Sequence, residues 1–182
     1  MKTLILNGSP HKNGDTAALT GALQGLLPGE VREVFSYFAQ AGPCVDCRRC
    51  WKTEGCALHD GMDEIYAFLR QADNVVIASP LYFSQLTGSL LALGSRLQCL
   101  YAAKRFLGKP GLSGKRGGIV LVGGGDGSPD PALATAHTLL KFMGATEHRR
   151  ALSHGTDRLP AGEDRDALAQ VGEMARWLAA AR

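Results

Sequence analysis

The sequence predicts an α/β fold in which a five-stranded parallel sheet is covered by helices on both sides. Two observations carry this prediction. Short apolar runs of strand length alternate with helical patterns along the chain, and the central runs are continuous stretches of mostly β-branched and aliphatic residues. Continuous aliphatic runs are typical of parallel strands buried on both faces. The alternation predicts βα units wound into a three-layer αβα sandwich.

The strands of this sheet follow in chain order. Residues 2–7 are the first predicted strand and residues 31–37 a weaker second one, while residues 74–78 and 118–122 are the third and fourth. The fifth is expected near residues 146–152. Five strands in a chain of this length favour the flavodoxin-like order 2-1-3-4-5, whose ligands bind beyond the carboxyl ends of the strands. The loops after strands 1, 3 and 4 are therefore the informative ones.

Leucine spacing predicts the helices that cover the sheet. A helix over residues 16–27 ends at Pro28-Gly29. After the third strand, leucines recur by four and three residues and predict one helical face: Leu86, Leu90, Leu93, Leu97 and Leu100. The closing helix presents Leu168, Val171, Ala175 and Leu178.

Composition limits the class of protein. The chain has 182 residues, 45% of them hydrophobic, which predicts a single domain over residues 1–182. The net charge of +3 is too small to indicate nucleic acid or a membrane surface as a partner. Apolar runs are too short for a membrane span or a signal peptide, so a cytoplasmic protein is expected.

The loop after the first strand has the composition of a phosphate site. It runs from Gly8 to Ala17 and opens a helix, whose N-terminus presents free N–H groups and a partial positive charge. Ser9 and Thr16 supply hydroxyl groups, Asn13 an amide and Lys12 a cation. The alternative is an ordinary polar loop in which Asp15 or Thr16 caps the helix.

The loops after strands 3 and 4 suit a flat ring. Ser79-Pro80-Leu81-Tyr82-Phe83-Ser84 places two aromatic residues at an exposed edge of the sheet, and Gly123-Gly124-Gly125 allows close approach of the backbone. A planar, partly apolar ligand between these loops would explain both features. The alternatives are aromatic residues that cap the core and a flexible glycine loop.

Four of the five cysteines fall between residues 44 and 56, in a cysteine-rich loop over residues 39–60. The spacing Cys44-x2-Cys47-x2-Cys50-x5-Cys56 brings four thiolates close enough to surround a [4Fe–4S] cluster, and its first three members match the ferredoxin run. Zinc sites more often use two separated Cys-x2-Cys pairs. A cluster, unmetallated thiols and zinc all remain open, and Cys99 is expected to be a buried core residue.

Taken together, these motifs resemble the flavodoxin-like NAD(P)H-dependent FMN reductases. The resemblance rests on the segments Gly8–Thr16 and Ser79–Phe83 and on the glycine loop. The cysteine run, with Asp60-Gly61-Met62 after it, is similar to the iron–sulfur flavoprotein branch. The chain departs from the family at Ser95, where an acidic residue is usual, and at His11, where arginine is common.

The resemblance implies FMN as the cofactor, and it implies where FMN binds. The phosphate would lie against the first loop: Ser9, His11, Lys12, Asn13, Gly14, Asp15, Thr16 and Ala17. The isoalloxazine ring would lie between the other two loops: Pro80, Leu81, Tyr82, Phe83 and Ser84 on one side, Gly123, Gly124 and Gly125 on the other. A [4Fe–4S] cluster would use Cys44, Cys47, Cys50 and Cys56.

The implied activity is a reductase that accepts a hydride from NAD(P)H at the flavin N5. It would pass electrons to a quinone, a nitro compound, oxygen or the cluster, with no side chain acting as acid or base. The alternative is an electron-transfer protein that relays electrons between protein partners such as ferredoxin. Members of the family commonly form homodimers or homotetramers, which is the expected assembly.

Overall fold

A parallel sheet of five strands in the order β2-β1-β3-β4-β5 forms the middle layer of the molecule. The computed structural model describes residues 1–181. The strands are β1 (Lys2–Asn7), β2 (Glu30–Phe35), β3 (Asn74–Pro80), β4 (Lys115–Gly123) and β5 (Ala145–His154). The predicted fold class and strand order are confirmed.

Alternate residues of the central strands face opposite layers, because side chains of a strand alternate between its two sides. Leu4, Ile77 and Leu121 belong to the core on one side of the sheet. Ile5 and Val76 belong to the core on the other side. Both cores are closed to solvent, which explains why the middle positions of these strands are apolar on both faces.

Six helices cover the two faces. The helices are α1 (Asp15–Leu26), α2 (Met62–Gln71), α3 (Gly88–Ser95), α4 (Gln98–Leu107), α5 (Asp130–Phe142) and α6 (Arg165–Ala179). Helices α1 and α6 contribute Leu19 and Val171 to the core on one side. Helices α2 to α5 pack on the opposite side, with Leu90 and Leu140 among the buried residues.

The leucine stripe over residues 86–100 forms two helices instead of one. Four of its leucines are buried and Leu100 is partly buried, but Leu86 precedes α3, α3 ends at Ser95 and α4 begins at Gln98. At the junction the N–H of Leu97 donates to the carbonyl of Gly94, a three-residue spacing that tightens the turn. Arg96, at this junction, is buried and forms hydrogen bonds to residues far along the chain.

None of the helices within residues 1–181 combines the length and the apolar character that crossing a membrane requires.

Candidate functional site

Three loops meet at the edge of the sheet where the parallel strands end. The N–H of Gly8 donates to the carbonyl of Ala78 at 2.7 Å, and the N–H of Leu81 donates to the carbonyl of Val122 at 2.8 Å. These bonds continue the pairing of β1 with β3 and of β3 with β4 beyond the regular strands. The loops after β1, β3 and β4 therefore start side by side, as the predicted topology requires.

Gly8 is the point of closest approach between the first loop and α3. The hydroxyl of Thr87 donates to the carbonyl oxygen of Gly8 at 2.8 Å. A Cβ atom on Gly8 would stand 2.7 Å from Oγ1 of Thr87 and 2.9 Å from Oγ of Ser79. The position admits only glycine without a shift of one of these groups.

The N-terminus of α1 has free hydrogen-bond donors. Its N-cap is Gly14, which offers no side-chain acceptor, so neither Asp15 nor Thr16 caps the helix as the alternative interpretation supposed. Within residues 1–181 the backbone N–H groups of Asp15, Thr16 and Ala17 donate to no acceptor. Unpaired N–H groups and the helix dipole both favour an anion at this position.

The side chains of the loop after β1 differ in what they contact. Oγ of Ser9 lies 3.0 Å from the carbonyl oxygen of His11 and 3.1 Å from its backbone nitrogen, so this hydroxyl shapes the loop. A carboxylate oxygen of Asp15 accepts the N–H of Ala161, which leaves only the backbone of Asp15 for an anion. Nζ of Lys12 lies 4.7 Å from the centre of the Phe38 ring, and Asn13 is exposed.

After β3 the chain makes a tight turn that displays two aromatic rings. Tyr82 and Gln85 exchange backbone hydrogen bonds at 3.0 Å, and Phe83 and Ser84 between them both have left-handed backbone angles. Left-handed angles are uncommon for residues other than glycine and often mark functional sites. Phe83 is fully exposed and Tyr82 is 45% exposed, so these rings do not cap the core.

The glycine loop after β4 approaches this turn. A Cβ atom on Gly127 would stand 3.1 Å from Oγ of Ser84, and one on Gly123 would stand 3.2 Å from a methyl carbon of Leu81. On its other side the loop meets Asp157, whose Oδ1 would be 2.4 Å from a Cβ atom on Gly124. The two loops are thus in contact at the sheet edge.

A second site lies beyond the C-terminal end of α3. The four clustered cysteines line one cavity of about 110 Å³, together with Cys99 and Arg96. Cys44 and Cys47 are exposed, and Cys50 and Cys56 are partly buried. Cys99 is buried in the core, as expected, yet its thiol also borders the cavity. The pKa of Cys50 is raised by burial and then by the nearby Cys99 thiolate.

The arrangement of these thiols bears on which metal centre fits. Over residues 1–181, no three histidine, cysteine, aspartate or glutamate side chains are grouped around the position of a single metal ion. A zinc ion needs four ligands within about 2.3 Å of one point. Each thiolate of a [4Fe–4S] centre binds a different iron, so its ligands stand further apart around one cavity. Four thiols around one cavity have the chemistry that a [4Fe–4S] centre requires.

Arg96 and Asp60 were missed as site residues by sequence reasoning. The buried guanidinium of Arg96 lies 2.7 Å from a carboxylate oxygen of Asp60. Burial by itself lowers the pKa of Arg96, but hydrogen bonding to Asp60 and the nearby Cys56 outweigh it and the pKa is raised. Arg96 follows Leu93 by three residues, so it lies on the helical face that the leucines predict to be buried. An arginine on a buried face was the signal available in the sequence.

Ser95, a departure from the family pattern, contacts the cysteine segment. Its Oγ accepts the backbone N–H of Cys44 at 2.9 Å. The serine therefore anchors the first cysteine to the last residue of α3.

Comparison with known proteins identifies the family. Residues 1–157 match the model of the NADPH-dependent FMN reductase family. An iron-sulfur flavoprotein of Methanosarcina thermophila is 28% identical over 187 aligned positions, covering 98% of this chain and 93% of the relative. One from Methanocaldococcus jannaschii is 34% identical over 141 positions, covering 75% of this chain and 69% of the relative.

Solved structures share the fold. The NAD(P)H:quinone oxidoreductase of Methanothermobacter marburgensis superposes with a TM-score of 0.75 at 13% identity, covering 100% of this chain and 98% of that one. An FMN-dependent NADH-azoreductase of Bacillus anthracis, solved with FMN, gives a TM-score of 0.66 at 19% identity, covering 99% and 100%. The family match, the curated relatives and the fold agree: the chain belongs to the NADPH-dependent FMN reductase family, in its iron–sulfur flavoprotein branch, and is an FMN-dependent NAD(P)H oxidoreductase.

Proposed function

We propose that this reductase takes electrons from NAD(P)H and passes them to a [4Fe–4S] cluster held by Cys44, Cys47, Cys50 and Cys56. The observation that carries the proposal is the pair of sites at opposite ends of α3. One is a group of three loops with free N–H donors at the end of the sheet, and the other is a cavity bordered by all four thiols. The chemistry of the two donor sets matches a flavin phosphate and an iron–sulfur centre respectively.

The first loop binds the FMN phosphate in this proposal. The backbone N–H groups of Asp15, Thr16 and Ala17 are the main donors, since within residues 1–181 they donate to no acceptor. Ser9 holds the loop in shape through its contacts with His11. The remaining members of the site add an amide, a mobile cation and a close approach of the backbone: Asn13, Lys12 and Gly14.

The isoalloxazine ring lies between the turn after β3 and the glycine loop after β4. FMN supplies a ring that accepts a hydride and releases electrons to an acceptor. The residues Pro80, Leu81, Tyr82, Phe83 and Ser84 form one wall, and Gly123, Gly124 and Gly125 form the other. The exposed ring of Phe83 is available to exclude water from a second reactant in the cleft. No side chain acts as acid or base here.

The cluster site is supported by charge as well as by its thiols. Thiolate-bound clusters carry negative charge, and Arg96 is a fully buried cation beside the cavity. Arg48 also lines the cavity, and its guanidinium lies 5.0 Å from the centre of the exposed Trp51 ring. Arg96 is ion-paired with Asp60 and Arg48 with Asp46, so each cation is shared between its carboxylate and the nearby thiols.

Anaerobic spectroscopy tests the proposal. The purified chain should be yellow-brown and contain one FMN with four iron and four sulfide per chain. Stopped-flow mixing with NADH or NADPH should bleach the flavin first and the cluster absorbance afterwards. A Cys50→Ser variant should keep the flavin and lose the iron. Flavin that is never bleached by either nucleotide, or iron below one atom per chain in anaerobically reconstituted protein, would refute the proposal.

A second function is favoured by the surface around the cysteine cavity. Trp51 stacks on Phe106 with ring centroids 4.6 Å apart, and both rings are more than 40% exposed. Exposed aromatic residues beside lysines and arginines suit a protein partner. The chain would then relay electrons between protein partners such as ferredoxin. In that case reduced ferredoxin, and neither nicotinamide nucleotide, would bleach the flavin.

Three expectations from the sequence stay predictions: a homodimer or homotetramer, a cytoplasmic location, and a single domain over residues 1–182. Sedimentation analysis of the flavin-loaded chain measures the first.

A further inference from the structure

The guanidinium of Arg96 forms hydrogen bonds through both terminal nitrogens, whereas its Nε forms none within residues 1–181. The inference from this nitrogen rests on the proposed cluster. One terminal nitrogen donates to the carbonyl of Gly42 at 3.0 Å and to Asp60 at 2.7 Å. The other donates to the carbonyl of Leu58 at 3.0 Å and to Asp60 at 3.2 Å. The side chain of Arg96 is fully buried, while that of its partner Asp60 is 24% exposed.

The acceptors lie at the two ends of the cysteine segment. Gly42 precedes Cys44 by two residues, and Leu58 follows Cys56 by two residues. A single guanidinium thus joins the entry and exit of the segment and fixes the distance between them. The carboxylate of Asp60, just past the exit, also bonds the backbone of Gly42 and so reinforces the closure. Arginine suits this task because its donors have a fixed planar geometry.

The fifth donor of Arg96 has no partner. Nε is buried and forms no hydrogen bond within residues 1–181. A buried donor left without an acceptor is costly, and more so when it is charged. Arg96 borders the cysteine cavity, and Cys56 is the thiol that lies close enough to interact with its guanidinium. An acceptor on the cavity side would satisfy the Nε–H of Arg96.

We propose that Arg96 is a positioning residue that holds the cysteine segment ready before metal binds and donates its Nε–H to the Cys56 sulfur once that sulfur is a cluster ligand. Hydrogen bonds to ligand sulfurs raise the reduction potential of an iron–sulfur centre, because they stabilise the extra electron. Groups that hold ligands in place also raise metal affinity. Arg96 therefore sets both the assembly and the potential of the cluster.

The first arm of the test uses the chain without metal. Trypsin cleaves after Arg48, Arg49 and Lys52, which lie inside the segment that Arg96 closes. An Arg96→Lys variant keeps the charge but lacks the planar fork. We expect trypsin to cut the segment about tenfold faster in this variant, as loss of hydrogen bonds to a charged group would allow. Arg105→Lys, an exposed arginine of α4, is the matched control and should be cut at the wild-type rate.

The second arm uses the reconstituted chain. Iron should be lost to a chelator about tenfold to a hundredfold faster from Arg96→Lys than from wild type. The reduction potential of its cluster should be lower, because the Nε donor is gone. Asp60→Asn leaves Arg96 in place, weakens the closure of the segment and removes a negative charge beside the cavity. It should raise the cleavage rate to an intermediate value, and the potential of its cluster should be no lower than that of wild type.

The outcomes separate this inference from the proposed function. Equal trypsin cleavage of wild type and both variants, all with wild-type circular dichroism, would overturn the closing role. A wild-type potential in reconstituted Arg96→Lys would overturn the contact from Nε to sulfur. If Arg96→Lys does not fold, Asp60→Asn decides the closing role alone. Failure of the wild-type chain to take up iron and sulfide would overturn the cluster and the Nε contact, whereas the protease arm would still decide the closure.

Discussion

The hydroxyl of Thr87 donates to the carbonyl oxygen of Gly8 at 2.8 Å. Thr87 is the N-cap of α3, so the start of this helix directly contacts the loop that leads into α1. The same hydroxyl accepts the N–H of Leu90 and so caps α3. One side chain thus fixes both the start of a helix and the path of the phosphate loop. The contact depends on a glycine at position 8.

Gly8→Ala tests that dependence. The added methyl group would stand under 3.0 Å from both Thr87 Oγ1 and Ser79 Oγ, so the loop has to move away from α3. We expect FMN occupancy to fall at least tenfold and the free energy of unfolding to fall by about 1–3 kcal/mol. Bound flavin per chain and a thermal melt measure the two effects. Gly21→Ala, on an open face of α1, should leave flavin binding intact and stabilise the chain. Full occupancy in Gly8→Ala would contradict the prediction.

Gly61→Ala should act on the cysteine segment instead. A Cβ atom at this position would stand 1.8 Å from the carbonyl oxygen of Ala39, at the base of the segment. We expect iron content after reconstitution to drop while bound FMN stays near one per chain. Gly42→Ala has no atom within 4 Å of its new methyl group and should take up iron normally. Similar iron content in both variants would show that the base of the segment tolerates displacement.

Phe83 should matter for reactivity and little for stability. Its ring is fully exposed, and substitution of an exposed residue usually changes stability by less than about 0.5 kcal/mol. Phe83→Asn removes the ring and suits the left-handed backbone of the turn. We expect an unchanged or slightly raised Tm and a KM for small acceptors raised at least threefold. Phe83→Ala, with the same loss of ring but a strained turn, should have a lower Tm. An unchanged KM in both variants would exclude the ring from the cleft.

Asp164 gives a pH dependence of stability. Burial would raise its pKa, but hydrogen bonds from the N–H of Ala167, the hydroxyl of Ser153 and the N–H of Asp166 outweigh burial and lower it. A carboxylate with a lowered pKa stabilises the fold above the unfolded value of about 3.9, and this contribution disappears as the pH falls through the folded pKa. Asp164→Asn keeps an acceptor for the helix cap without the charge.

Urea unfolding from pH 7 to pH 2 measures that contribution. The difference in free energy of unfolding between wild type and Asp164→Asn should be constant near neutral pH and shrink below about pH 4. Asp126→Asn, whose carboxylate is 98% exposed, is the control. A difference that grows as the pH falls would have the wrong sign and would refute the assignment.

The central strands were predictable because their signal is local. Residues 75–78 and 118–122 have no polar side chain. Strand β3 extends two residues beyond its predicted end, and β4 begins three residues earlier and ends one residue later than predicted. Gly8 and Gly14 were likewise visible, since a strand that leads through glycines into a helix has few structural interpretations. Family and cofactor followed from the same loops.

Contacts between distant residues were not predictable. The leucine spacing continues without interruption through residue 96, yet the helix breaks there. Arg96 donates to Gly42 and Leu58, and its carbonyl accepts the Tyr66 hydroxyl at 2.7 Å. The turn at Phe83 and Ser84 contains no glycine or asparagine, so its left-handed angles have no sequence signal. Both features are fixed by tertiary packing.

Helix α3 has Thr87 against the flavin loop at one end and Arg96 against the cysteine segment just past the other. Its eight residues span about 12 Å, short enough to behave as one stiff body. Displacement of one end of α3 therefore displaces the other end. The resulting coupling between the two sites is reciprocal in binding free energy. We expect the two prosthetic groups to bind cooperatively: chain stripped of iron should hold FMN more weakly, and chain stripped of FMN should take up iron less readily.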